Sequence, residues 1–200
     1  MNGLCALFEQ MKPLSAGLRT GLEEVVHARY YPQDQFLCMP DSTPDYLFFI
    51  VRGIVETYFF NSGRIVIAAF TGPDEVCFEP GCLFEPASVK HGVIALADTE
   101  VLCLSYGSIR RLLMHFPEFA YHLQRLIGIR DQYYDRRIEL LSEPTDVRLE
   151  HFIELYERHF HGVTRAHVSQ FLNMSVSHLY TLLQRQRKAY HNKRKKAMNV

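Results

Sequence analysis

The 200-residue chain has no tryptophan, and its five cysteines (Cys5, Cys38, Cys77, Cys82, Cys103) include no Cys-x-x-Cys pair. An odd thiol count without paired spacing predicts reduced thiols in a cytoplasmic protein. Long apolar runs are also missing. The best stretch, residues 46–70, is interrupted by Arg52, Glu56, Asn61 and Arg64, short of the ~18–20 apolar residues that a membrane-spanning helix needs. The first ten residues carry no basic residue ahead of an apolar segment, so no secretory signal is expected. A Gly-rich phosphate loop, a nucleophile elbow and a convincing acid/base pair are absent too, which predicts a protein that is not an enzyme and holds no cofactor.

The most informative absence is of acid. Residues 161–200 contain no Asp or Glu but eight basic residues: Arg165, Arg185, Arg187, Lys188, Lys193, Arg194, Lys195 and Lys196. The whole chain has 22 basic and 22 acidic residues, so residues 1–160 carry 14 against 22, a net of −8. A basic segment attached to an acidic domain is the charge pattern of a phosphate-binding module, although a solvated tail would look the same. With 48% hydrophobic residues the chain can bury a real core and is not a disordered polymer.

Periodicity divides the rest. Residues 4–30 read as mildly helical, with a break at Pro13 and a helix start at Ala16. From 31 to about 106, short β-branched and aromatic runs (47–51, 54–60, 65–70, 92–95, 101–105) alternate with turn residues such as Asn61-Ser62-Gly63, the texture of a compact antiparallel roll. Then Phe116, Ala120, Leu123, Ile127, Tyr134, Ile138 and Leu141 recur at three- and four-residue steps, predicting a long helix. An apolar stripe on a helix too long for its own domain points to a homodimer seam, with Arg130 and Asp131 interrupting it; the alternative is a helix lying on the roll of one monomer. Ser142–Thr145 reads as a hinge, followed by a helix from about Asp146 that turns Leu149, Phe152, Ile153 and Tyr156 inward.

The segment VTRAHVSQFLNMSVSHLYTLLQRQRK (163–188) reads as a helix-turn-helix. Thr164 caps a first helix to about Leu172, Asn173 takes the tight turn, and Ser175 or Ser177 caps a second helix to about Arg187. Val168, Phe171, Leu172, Met174, Leu179 and Leu182 would join the two. Thr164, Ser175, Ser177, His178, Thr181, Arg185, Arg187 and Lys188 are the candidate DNA contacts, with Ser177, His178 and Thr181 nearest the bases.

The order of roll, long helix, hinge and helix-turn-helix, together with LFFIVRGIVETYFFNSGRIVIAAFTGPDEV (47–76) and ALADTEVLCLSYGSIRRLLMHFPEF (95–119), resembles the Crp/Fnr family of transcription regulators. The resemblance implies an α+β chain: an antiparallel, cyclic-nucleotide-binding-like β-roll sensor over residues 1–115, a dimerisation helix over 116–142, and a helix-turn-helix, winged-helix-like domain with a basic tail over 143–200. It also implies double-stranded DNA, a second copy of the chain, RNA polymerase and a small-molecule effector as partners. Two departures stand out. The family's Arg-Ser-Ala phosphate grip falls on Val89, Lys90 and His91, so cyclic AMP is not the expected effector; Glu79, Lys90 and His91 are the candidate pocket residues. The tail after Arg187 is too short and too basic for the usual wing. His159-x-His161 and the scattered cysteines do not make a metal site, and none is expected. The rival readings are an adaptor or ligand-binding protein that has lost specific DNA contact and, more distantly, a cupin-like metalloenzyme.

Overall fold

In the computed structural model, residues 2–160 and 163–186 are described. They fall into two compact units, Met1–Asp135 and Arg136–Val200. In the first, α1 (Asn2–Met11) and α2 (Ala16–Val25) precede eight strands: β1 (His27–Tyr31), β2 (Phe36–Cys38), β3 (Tyr46–Arg52), β4 (Val55–Asn61), β5 (Arg64–Thr71), β6 (Val76–Cys77), β7 (Gly92–Ala95) and β8 (Thr99–Ser105). All pair antiparallel, in two four-stranded sheets ordered β1-β8-β3-β6 and β2-β7-β4-β5. The mixed α+β architecture, with an antiparallel roll followed by helices, agrees with the sequence reading. The five anticipated runs are β3, β4, β5, β7 and β8. In β4, Val55 lies in the core between the sheets.

Strand β3 explains its own unbroken apolar sequence. Phe48 and Ile50 face the inter-sheet core with Val55, Val93, Ala95, Val101 and Cys103. Leu47 and Phe49 face the other way, into a helical layer built from Leu4 and Phe8 of α1 and Leu18 and Leu22 of α2. A strand buried on both faces loses the polar half of its alternation. Ser62 and Gly63, at positive φ (49° and 74°), close the β4–β5 hairpin, as type I′ turns do. Gly53 (φ 94°) sits where a Cβ would come within 2.4 Å of the Thr99 hydroxyl. The five cysteines are free thiols.

The structure departs from the sequence reading in three places. Residues 27–30, read as the end of a helix, form β1 with Tyr31, held by its ladder to β8; tertiary pairing overrides a weak local preference. The long helix anticipated from Phe116 begins at Phe119 instead: α3 (Tyr106–His115) ends before Pro117, which cannot continue it, and α4 is Phe119–Ser142. Phe116 is the C-cap of α3, and its ring lies 2.8 Å from where a Cβ on Gly17 of α2 would stand. The third correction concerns the stripe on α4. Leu123 is 2% exposed and sits in the helical core with Phe119 and Leu126, with Ile127 packed against it. These side chains cover their own domain, so the monomer alternative describes the first half of α4. Ala120, Tyr121, Ile129 and Ile138 are exposed.

In the second unit, α5 (Thr145–Phe160) buries Leu149 and Phe152, and α6 (Arg165–Phe171) and α7 (residues 176–186) follow. Arg187, Lys188 and the basic tail, with any wing, lie outside the described residues, as do His161 and the side chains of Tyr156 and His159.

Candidate functional site

The first unit holds a cavity of about 200 Å³. Phe48, Thr57, Phe70, Cys77 and Val93 line it from the strands, and Leu126, Ile129, Arg130, Tyr133 and Tyr134 of α4 close it. Its walls are mostly apolar and aromatic, with few convergent polar groups, as in small-molecule sites. Asp74, Glu75, Glu79 and Arg130 bring charge to the lining, and the two carboxylate oxygens of Glu79 lie 3.6 Å from His91 Nδ1 and 3.6 Å from the Arg130 guanidinium. Burial works against the Glu79 charge, but His91, Arg130 and the Gly81 backbone more than offset it and hold the carboxyl below its ordinary range. Arg130 also stacks on Tyr134, 4.7 Å from the ring centroid. The Glu79 backbone N–H donates to the Tyr106 hydroxyl at 2.7 Å, and burial raises the pKa of that phenol. On the far wall, the Tyr133 hydroxyl accepts from the Phe70 N–H at 3.2 Å and donates to the Phe70 carbonyl at 3.4 Å, pinning α4 to β5.

Glu79 and His91 therefore meet in the cavity, and Lys90 does not. Lys90 is exposed and absent from the lining, because Val89 bridges Ser42 and turns the next side chain outward. The cation in the cavity comes from α4 instead. Arg130 was visible in the sequence only as a charge interrupting an apolar stripe; that interruption marks where the helix passes over a polar site. Tyr134, placed by periodicity in a dimer seam, lines the cavity as well.

The second site is in the helix-turn-helix. Thr164 caps α6 by accepting from the His167 N–H at 3.4 Å. Leu172 ends it, and Asn173 takes φ 51°. Ser175 caps α7 by accepting from the His178 N–H at 3.1 Å. Val168, Phe171, Leu172, Leu179 and Leu182 are buried between the helices and α5. Arg148 of α5 ties the turn down, donating to the Glu143 carbonyl at 2.8 Å and the Leu172 carbonyl at 3.0 Å. Thr164, Ser175, Ser177, Thr181 and Arg185 are exposed. His178 is half-buried, and its Nε2 lies 2.9 Å from the Thr145 hydroxyl at the start of α5, so its ring is engaged in holding the unit together. Val176 and Tyr180, which sequence reasoning passed over as apolar, stand 49% exposed on α7, and Arg165 lies 5.4 Å from the Tyr180 ring centroid. Among the described residues, no cluster of three or more His, Cys, Asp or Glu could hold a metal ion, and no helix is long and apolar enough to cross a membrane.

Residues 28–116 match the family model of the cyclic nucleotide-binding domain. Among solved structures, FixK2 from Bradyrhizobium japonicum is similar at 19% identity and a TM-score of 0.74, over 82% of this chain and 86% of that one. The c-di-GMP responsive global regulator CLP from Xanthomonas campestris is similar at 18% identity and a TM-score of 0.68, over 88% and 93%. The catabolite activator protein of Thermus thermophilus follows at 20% identity and a TM-score of 0.55, over 92% and 87%. No curated protein matches the sequence. At these identities the likeness shows the fold: a cyclic-nucleotide-binding-type roll followed by helices, as in Crp/Fnr regulators.

Proposed function

From a chain with the fold of Crp/Fnr transcription regulators, we propose a DNA-binding transcription regulator that acts as a homodimer on a roughly palindromic operator. The observation that carries this reading is the capped helix-turn-helix within an acid-free segment of net charge +8. A helix can enter the major groove only if its outer face is clear, and α7 presents Val176, Ser177, Tyr180, Thr181 and Arg185 to solvent. A duplex is the polyanion that such a charge excess attracts. RNA polymerase is the further partner such a regulator would engage, and its compartment is the cytoplasm.

The roll is the sensor in this reading, and α4 couples it to the rest of the chain. Whatever fills the cavity touches Arg130, Tyr133 and Tyr134, and so shifts the helix whose exposed face, with Tyr121, Ile129 and Ile138, would meet the second copy. Cyclic AMP is not the effector in this reading. No guanidinium projects from residues 89–91, and the Glu79 carboxylate already has Arg130 and His91 beside it.

Selection of bound duplexes from a random pool by the full-length protein tests the function. Enrichment of an inverted repeat with half-sites about one helical turn (~34 Å) apart supports it. Salt-independent retention or no enrichment refutes it and favours an adaptor that no longer reads DNA.

A further inference from the structure

We infer that α7 reads thymine methyl groups, so that the bases it faces are A·T pairs. The inference rests on the proposed DNA binding and specifies the chemistry of that contact. Of the eleven described residues of α7, 176–186, Val176, Tyr180, Ser177, Thr181 and Arg185 are exposed and at 100° per residue follow one another around one arc, with half-buried Gln184 among them, while Leu179 and Leu182 face inward. The residues of a recognition helix that reach base edges are those of its N-terminal turns. Here these turns present an isopropyl group and an aromatic ring, with two hydroxyls between them.

Those hydroxyls are already engaged. The Thr181 hydroxyl donates to the Ser177 carbonyl at 3.0 Å, one turn back along the helix. This leaves its methyl group free for an outside contact. Ser177 and Ser175 share a hydrogen bond at 3.1 Å, and Ser175 caps the helix. His178 bonds to Thr145. The first two turns therefore carry no Arg or Lys to fork onto guanine and no free carboxylate to accept from cytosine. Their outward chemistry is apolar. In the major groove the one apolar feature on a base edge is the C5-methyl of thymine. Val176 and Thr181 would thus read the thymine of an A·T pair.

Two competing occupants of the arc are less well supported. An apolar protein partner would sit beside a strongly basic segment without acid of its own, whereas the charge complements a phosphate backbone. A guanine-reading arrangement would need Arg185, which lies three turns along, past the reading end.

The test uses the full-length protein and the duplex enriched from a random pool. Replacing each half-site thymine in turn by deoxyuridine removes one methyl and leaves every hydrogen-bonding edge unchanged. The expected result is binding about fourfold weaker for each contacted methyl, the effect of withdrawing one buried CH₃-sized group, with the remaining thymines indifferent. Val176→Ala and Thr181→Ser should each abolish the discrimination at one position, and both side chains are exposed enough for the fold to survive. Equal affinity for thymine and uracil duplexes at every position overturns the inference while leaving sequence-specific binding intact. Enrichment of G·C pairs under α7 overturns it too. No enrichment at all removes the reading of DNA binding on which it rests.

Discussion

Glu56 offers the sharpest test of the roll. It is the second residue of β4, paired across the ladders with Phe70 and Ile94. Only 5% of its surface is exposed, and its Oε2 has no hydrogen-bond partner. Burial alone raises its pKa from the ordinary 4.5 to about 7. The sign of the consequence follows from proton linkage. Above the ordinary carboxyl pKa the unfolded chain releases this proton while the native state keeps it, so native stability falls as pH rises toward the folded value. Below about pH 4 both states are protonated and nothing is lost. Across the interval the loss sums to about 3 kcal/mol, a large share of the stability of a domain this size. Glu56→Gln keeps the shape and removes the titration. Urea unfolding followed by far-UV circular dichroism should give the variant an advantage that grows by about 3 kcal/mol between about pH 4 and about pH 8. Every other titrating group cancels in the difference. An advantage that stays constant within about 1 kcal/mol over that range would refute the reasoning, since it would mean that the carboxyl ionises in the native state as readily as in the unfolded one.

Four further outcomes are expected. Leu123→Ala should cost about 2–5 kcal/mol in urea unfolding because Leu123 is a core residue. Ile138→Glu, at a position 63% exposed, should leave stability nearly unchanged while shifting a dimer toward monomer in light scattering; an unchanged mass would place the assembly surface elsewhere. Titration calorimetry with millimolar cyclic AMP should show no saturable heat, and micromolar binding would mean that Arg130 leaves Glu79 to grip the phosphate. Asn173→Val, forcing a β-branched residue into φ 51°, should lower the thermal stability of the second unit by about 1–2 kcal/mol and weaken DNA binding, whereas Asn173→Gly should do neither.

The domain order, the roll strands and the helix-turn-helix were legible because each rests on local rules. Asn61-Ser62-Gly63 marked the β4–β5 hairpin, Thr164 and Ser175 stood where helix caps stand, and Asn173 stood where the backbone must turn left-handed. Charge segregation, a property of composition alone, set the basic end apart from the acidic one.

What sequence could not decide depends on which surface meets which. An apolar stripe says that a helix face is covered, not by what; Leu123 and Ile127 turned out to cover their own domain rather than a second copy. Short β1 has no periodic signature of its own and exists because β8 lies beside it. Glu79 found its cation on α4, some fifty residues away in the chain, where Arg130 had looked like a flaw in a stripe. His178 has the chemistry of a base reader but is engaged by Thr145, and Val176 and Tyr180, which the sequence reading left unassigned, stand outside. Spacing along a chain fixes the periodicity of a helix, but its absolute rotation about its axis is set by the packing of its neighbours, and that rotation decides which side chains remain to meet a ligand or a base.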